Sequence, residues 1–219
     1  MHTVSNFLNY DDVSEYIGDH ISEIPEYLIQ LEDETYRKLI KPRMMSGKAQ
    51  GRFLSFISQL LNPKNILEIG AFSGYGTLCL AEGLTKDGEL HSIEVNDELK
   101  PMHNKYLDKT QFKNQIKYIY GDAKEILKSL DQSYEIIFLD ADKKSYPTYL
   151  DLLVPKLKPN GILLADNVLW YDRVINNEIQ DDETKAIRNF NSKVANHPEL
   201  KSFILPVRDG LTIAQKKEA

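Results

Sequence analysis

The chain has 219 residues, with Lys+Arg 27 against Asp+Glu 33 and a formal net charge of −6. That length suits one domain with a full core, and the acidic balance argues against a broad nucleic-acid footprint while leaving room for a local basic patch. The one cysteine, Cys79, excludes an intramolecular disulfide; with no apolar run of membrane-spanning length and no basic, apolar leader, the expectation is a soluble cytoplasmic protein.

Residues 11–40 read as two short helices, with Pro25 opening the second. Residues 46–61 predict a helix with Phe53, Leu54, Ile57, Leu60 and Leu61 on one face, and Ser46 has the chemistry of its N-cap. Strand and helix then alternate. Asn65–Ile69 is an apolar strand that contains Glu68, an acid costly to bury without a partner. It leads into Gly70, Gly74 and Gly76, a G-x-x-x-G-x-G turn, and a helix with an apolar face of Leu78, Leu80, Ala81 and Leu84. Such a turn lets backbone approach a ligand, and the helix N-terminus offers free N–H groups. Its spacing is not the G-x-G-x-x-G of a dinucleotide site. A second strand over 89–97 ends in Glu94, where an acid can bind two ribose hydroxyls. A third, over 116–123, ends in Gly121, Asp122 and Ala123, where an adenine edge can be read.

Two further apolar runs, Ile136–Leu139 and Ile162–Ala165, read as buried parallel strands. The first ends in Asp140, the second in Asp166 and Asn167. Ligands sit outside the carboxyl ends of such strands. Two carboxylates and an amide carbonyl there form a hard-oxygen cluster suited to Mg²⁺, Ca²⁺ or Mn²⁺ rather than zinc. Residues 168–182 read as a polar loop with an aromatic start, 183–196 as a helix, and 201–207 and 211–216 as strands joined across Arg208–Gly210. Asp-Gly between strands is a hairpin signal, so the parallel sheet should end in an antiparallel pair.

Several residues admit a plainer reading. One of Met44 and Met45 is expected in the core. Trp170 and Tyr171 read as a substrate lid or as loop packing. Tyr146 and Tyr149, at helical spacing, read as packing. The histidines at 2, 20, 91, 103 and 197 have no ligand spacing and read as surface or satisfied residues, and Cys79 as inert core. Asp142 either bonds its own loop or faces water, and Lys144 reads as solvated.

The segments PRMMSGKAQGRFL (42–54), LEIGAFSGYGTL (67–78), SIEVN (92–96), GDA (121–123), FLDADK (138–143), LLADNVLW (163–170) and LPVRDGLTIA (205–214) resemble the metal-dependent S-adenosylmethionine O-methyltransferases, a class that includes the catechol and caffeoyl-CoA enzymes. The resemblance implies an α/β fold: a Rossmann-like, seven-stranded, mostly parallel sheet in the order 3-2-1-4-5-7-6, strand 7 antiparallel, with helices on both faces. It implies a single domain over 1–219, with N-terminal helices (1–62) covering the donor site of a core (63–219). For the donor it implies Ser46, Glu68, Gly70, Ala71, Gly76, Glu94, Asp122, Ala123 and Asp140. For a divalent cation, Mg²⁺ first, it implies Asp140, Asp166 and Asn167. It makes Lys143 the base that takes the acceptor's proton, and places Met44, Trp170 and Tyr171 at the acceptor. A homodimer and a small phenolic substrate follow from it, with no membrane partner.

The chain departs from the family pattern. Gly76 stands where relatives often carry serine, removing a hydrogen bond that Thr77 is placed to replace. Pro206 stands where catechol-type enzymes carry an acid, which moves the match toward the caffeoyl-CoA branch. Only Lys185 and Arg188 are offered where plant enzymes bind their thioester ligand. Two rivals stay open: a tRNA hydroxyuridine methyltransferase, favoured by Arg43, Lys48 and Arg52, and a catalytically silent, donor-binding dimer module.

Overall fold

The computed structural model describes residues 16–218. In chain order it comprises α1 (Glu26–Lys38), α2 (Gly47–Leu61), β1 (Asn65–Ile69), α3 (Tyr75–Ala81), β2 (Glu89–Glu94), α4 (Lys100–Leu107), β3 (Ile116–Tyr120), α5 (Ala123–Ser129), β4 (Tyr134–Leu139), α6 (Tyr146–Leu153), β5 (Leu157–Asp166), α7 (Asp182–Ala195), β6 (Leu200–Leu205) and β7 (Leu211–Lys216), with short 3-10 turns between some of them. The seven strands run β3-β2-β1-β4-β5-β7-β6. β7 is antiparallel to both neighbours and the other pairings are parallel. The order and the antiparallel strand are those the resemblance implies.

Alternation along each strand divides the core in two. Ile66, Ile136, Phe138 and Leu164 face a cluster with Leu28 and Leu31 of α1, Leu54 of α2 and Leu78 of α3. Leu67, Ile69, Ile137 and Leu163 face one with Leu127 of α5, Leu150 of α6 and Phe190 of α7. Strands covered on both faces are apolar at most positions, which is why β1, broken by the buried Glu68, and β4 read as near-continuous runs. Register then sets the working edge. Ile69 pairs with Ile93 and Leu139, and Leu139 with Ala165. The residues that follow, Gly70, Glu94, Asp140 and Asp166, therefore emerge side by side.

Local boundaries differ from expectation in informative ways. β5 begins at Leu157, ahead of the apolar run, because a register shift between Tyr134 and Ile136 lets Lys158–Gly161 continue the strand; Pro-Asn-Gly alone signals a turn. The β6–β7 connection is longer than the expected Arg208–Gly210. β6 stops at Leu205, and Arg208 (φ 51) and Gly210 (φ 83) reverse the chain within a longer loop. Ser46 has helical backbone angles and makes no side-chain cap to α2. Of the first expected helix only 16–19 is seen as helical, and 11–15 lie outside the described residues. Met45 is the buried methionine of its pair and Met44 the exposed one. No helix among the described residues is long and apolar enough to cross a membrane.

Candidate active site

A cavity of about 1050 Å³ opens at the carboxyl edge of the sheet, between β1–β2 on one side and β4–β5 on the other. Its wall contains every residue the resemblance assigns to donor, cation, base or acceptor: Met44, Ser46, Glu68, Gly70, Ala71, Gly76, Glu94, Asp122, Ala123, Asp140, Lys143, Asp166, Asn167, Trp170 and Tyr171. The volume is at the upper end for small-molecule sites, room enough for a donor and an acceptor together.

The donor half is built around the glycine-rich turn. Gly70 has φ 95, and a Cβ there would lie 1.8 Å from the Asp140 carbonyl oxygen, so only glycine lets the turn pass over the end of β4. Phe72, at φ 46, donates its N–H to Glu94 Oε2 at 2.7 Å, and the other Glu94 oxygen accepts from Asn96 N–H at 2.9 Å. Glu68 is buried, with hydroxyls of Ser92 (2.5 Å) and Thr77 donating to it. Burial raises its pKa to about 7, against those two hydrogen bonds and with help from the charges of Asp140 and Glu94. Thr77 is thus spent on Glu68 and is off the cavity wall, so it does not replace a serine at position 76. A Cβ at Gly76 would come within 2.9 Å of Glu68 Oε1 and 3.3 Å of Ser46 Oγ, so the glycine makes room for both. Asp122 caps α5, its Oδ1 accepting from Lys124 N–H at 2.8 Å.

The acid half lies at the ends of β4 and β5. Asp140 receives the Lys143 amine at 2.9 Å. Asp166 closes β5, and Asn167, at φ 59, donates its N–H to Asp166 Oδ1 at 2.8 Å. Burial and then the charge of Asp140 push the Asp166 pKa up to about 6, partly offset by Gln50, Arg208 and Lys143. Asp140, Asp166 and Asn167 are the residues that could hold a divalent cation. The donor set is all hard oxygen, and two crowded acids are an environment a cation relieves. Lys143 is buried, and its amine also donates to the Tyr146 hydroxyl at 2.7 Å. Tyr146 in turn donates to the Asp166 carbonyl at 2.8 Å. The reading of Tyr146 as packing alone is incomplete: it lies three residues beyond Lys143 and buckles that lysine to the end of β5. Asp142 is occupied by its own loop, accepting from Ser145 N–H at 3.0 Å and from the Tyr149 hydroxyl at 3.3 Å.

The outer wall comes from 168–172 and the β6–β7 loop. Trp170, Tyr171 and Asp172 have successive φ values of 51, 54 and 58. Left-handed non-glycine residues in a row persist only where surroundings impose them. The imposing group is the hairpin loop. Val168 and Leu169 N–H donate to the carbonyls of Gly210 (3.1 Å) and Asp209 (2.9 Å), and Tyr171 N–H to Asp209 Oδ1 (2.5 Å). The neighbouring Arg208 reaches the other wall, donating to the Ser46 carbonyl at 2.6 Å and to Gln50. Arg208 and Asp209 have no local sequence signal for these roles, because their partners lie far away in the chain.

Of the basic residues anticipated together at Arg43, Lys48 and Arg52, two face acids. Arg43 lines the cavity, Lys48 lies 3.8 Å from Glu32, and Arg52 turns into a two-pronged pair with Glu82 at 2.8 and 2.9 Å. Arg188 is likewise committed, donating to the carbonyls of Val174, Ile179 and Arg173 at 2.8–2.9 Å. Lys144 is exposed and pairs with Asp182 at 3.2 Å. Cys79 is buried, which pushes its thiol up to about 12.

A family model described as O-methyltransferase matches residues 18–217. The chain is 29% identical to a caffeoyl-CoA O-methyltransferase of Populus kitakamiensis, over 94% of this chain and 90% of that protein. It is 27% identical to a catechol O-methyltransferase of Niastella koreensis, over 94% and 96%. Among solved structures, the methyltransferase PaMTH1 of Podospora anserina, with S-adenosylhomocysteine bound, superposes with a TM-score of 0.89 at 27% identity, covering 100% of each chain. The chain belongs to this O-methyltransferase family, and it is an S-adenosylmethionine-dependent O-methyltransferase.

Proposed function

We propose that the chain, acting as one methyltransferase unit, transfers the methyl group of S-adenosylmethionine to one hydroxyl of a vicinal-diol aromatic, with a divalent cation held by Asp140, Asp166 and Asn167. The observation that carries this reading is the pair of crowded acids, Asp140 and Asp166, with the Lys143 amine 2.9 Å from the first. When bound, the cation would favour the acceptor's phenolate and align a chelating diol.

The chain's own residues do the rest. Glu94 takes the donor's ribose hydroxyls and Glu68, with Gly70 and Ala71, its methionine end; Ser46 and Gly76 close over it, and Asp122 and Ala123 meet the adenine. Met44, Trp170 and Tyr171 flank the acceptor and exclude water. Lys143 accepts the hydroxyl proton at its amine nitrogen. The oxygen then forms its bond to the methyl carbon as the sulfur–methyl bond breaks. The sulfonium leaves as a neutral thioether, and the proton departs from Lys143 to solvent.

Two features favour a small phenol over larger acceptors. Arg188 and Arg52 are tied to backbone carbonyls and to Glu82 respectively, so neither is free for a thioester's phosphates or for tRNA. A homodimer is favoured by an uncovered apolar face. Phe203 and Leu205 of β6 pair with Ile213 and Leu211 and share their side of the sheet, where Phe53 of α2 meets Leu205 and Val207. Phe56 and Leu60, one turn apart on α2, and Phe203 on β6 remain 62%, 66% and 58% exposed, apolar surface that a second copy would cover. The test is donor consumption with catechol against phenol at equal concentration: catechol should turn over and phenol should not. Equal rates would remove the chelated-diol reading.

A further inference from the structure

We propose that His103 is a positioning residue for donor binding: it holds the left-handed Phe72 peptide of the glycine-rich turn, and through it the Phe72 N–H on Glu94. The inference rests on the reading that the donor occupies this turn.

His103 lies on α4, is 1% exposed, and is not on the cavity wall. Its Nε2 is 2.6 Å from the Phe72 carbonyl oxygen. A carbonyl only accepts, so Nε2 carries the proton. Burial lowers the imidazole pKa to about 4, so the ring is neutral near pH 7, and Nδ1 accepts from the Tyr120 hydroxyl at 2.8 Å. The ring stacks on Tyr118 with centroids 4.1 Å apart and planes 10° from parallel. Tyr118 in turn backs the turn itself, since a Cβ on Gly74 would lie 2.7 Å from its hydroxyl.

Phe72 is where this support is needed. A phenylalanine at φ 46 is strained, and such residues persist only when neighbours over-determine them. Here the N–H of Phe72 is fixed by Glu94 at 2.7 Å and its carbonyl by His103 at 2.6 Å. The two anchors come from opposite sides of one residue on the cavity wall. Releasing the carbonyl frees Phe72 to relax toward ordinary angles, which withdraws the N–H that orients Glu94. A histidine that merely fills the core would affect stability but would not discriminate between replacements that keep and lose the N–H donor.

The experiment is calorimetric affinity for S-adenosylhomocysteine, with melting curves and donor KM and kcat, for wild type, His103→Phe, His103→Gln and Glu94→Ala. Phenylalanine keeps the stacking and loses the donor; glutamine keeps an N–H donor. His103→Phe should weaken affinity about tenfold, the scale of one hydrogen bond to a buried carbonyl. It should raise donor KM with kcat at saturating donor nearly unchanged, and His103→Gln should stay within about threefold of wild type. Wild-type affinity in His103→Phe, or equal weakening in both variants in step with their melting temperatures, overturns the proposal. If His103→Phe does not fold, Tyr120→Phe replaces it: weaker donor binding at unchanged melting temperature is expected, and unchanged binding overturns the proposal. Glu94→Ala separates the two levels. Unchanged affinity there removes the donor reading itself, whereas weakening there with none in His103→Phe removes only the role of His103.

Discussion

The Lys143 amine stands 2.7 Å from the Tyr146 hydroxyl, inside the protein, and that hydroxyl spends its own proton on the Asp166 carbonyl. The candidate base is thus fixed to β5 as well as to Asp140 just past the end of β4, and it cannot swing without breaking a buried hydrogen bond. Removal of a general base typically costs about 10²–10⁴-fold in rate, so Lys143→Met should lose that much in single turnover while keeping donor affinity. Tyr146→Phe should cost less, about tenfold, and should add little in the Lys143→Met background because both changes act on one proton transfer. Full additivity of the two losses would separate Tyr146 from the base.

Glu68 supplies a pH signature. Its pKa is raised to about 7 in the folded protein, against about 4.3 in an unfolded chain. The folded state therefore holds this proton more tightly, and ionising the acid costs stability. Relative to Glu68→Gln, the donor-free protein should lose melting temperature as pH rises from about 4.3 to about 7 and level off above. Parallel melting curves for the two proteins over that range would contradict a buried, proton-holding Glu68.

Asp209 fixes the aromatic turn through the Tyr171 N–H. Asp209→Ala should release the left-handed Trp170–Asp172 turn, raise the acceptor KM several-fold, and leave S-adenosylhomocysteine affinity unchanged. Steady-state kinetics with both substrates varied would show it; a change confined to donor KM would place the turn on the wrong side of the cavity.

The sheet was legible because its strands are buried on both faces: β1 apart from Glu68, β4 from Ile136 and the second half of β5 are apolar runs, and their ends mark an edge. Asp140, Asp166, Glu94 and Gly70 were legible for the same reason, since parallel register carries strand ends to one place. What could not be read is whatever depends on distant partners. Ser46 has the chemistry of a cap, yet α2 starts without one, and the backbone of Ser46 is held instead by Arg208. Thr77 follows Gly76 in the turn, yet its hydroxyl is turned onto Glu68. Tyr146 reads as packing because helical spacing describes its own helix and says nothing of the Asp166 carbonyl. Arg52 reads as part of a basic cluster with Arg43 and Lys48, and its pairing with Glu82, 30 residues away, has no local signal.

The most direct measurement is turnover by chelator-stripped protein, with metal content verified, on catechol and S-adenosylmethionine, followed by titration with Mg²⁺ and repeated with Asp166→Ala. The expected result is no turnover without cation, recovery on adding it, no recovery in Asp166→Ala, and donor affinity retained throughout. Undiminished methylation by verified metal-free protein would contradict it.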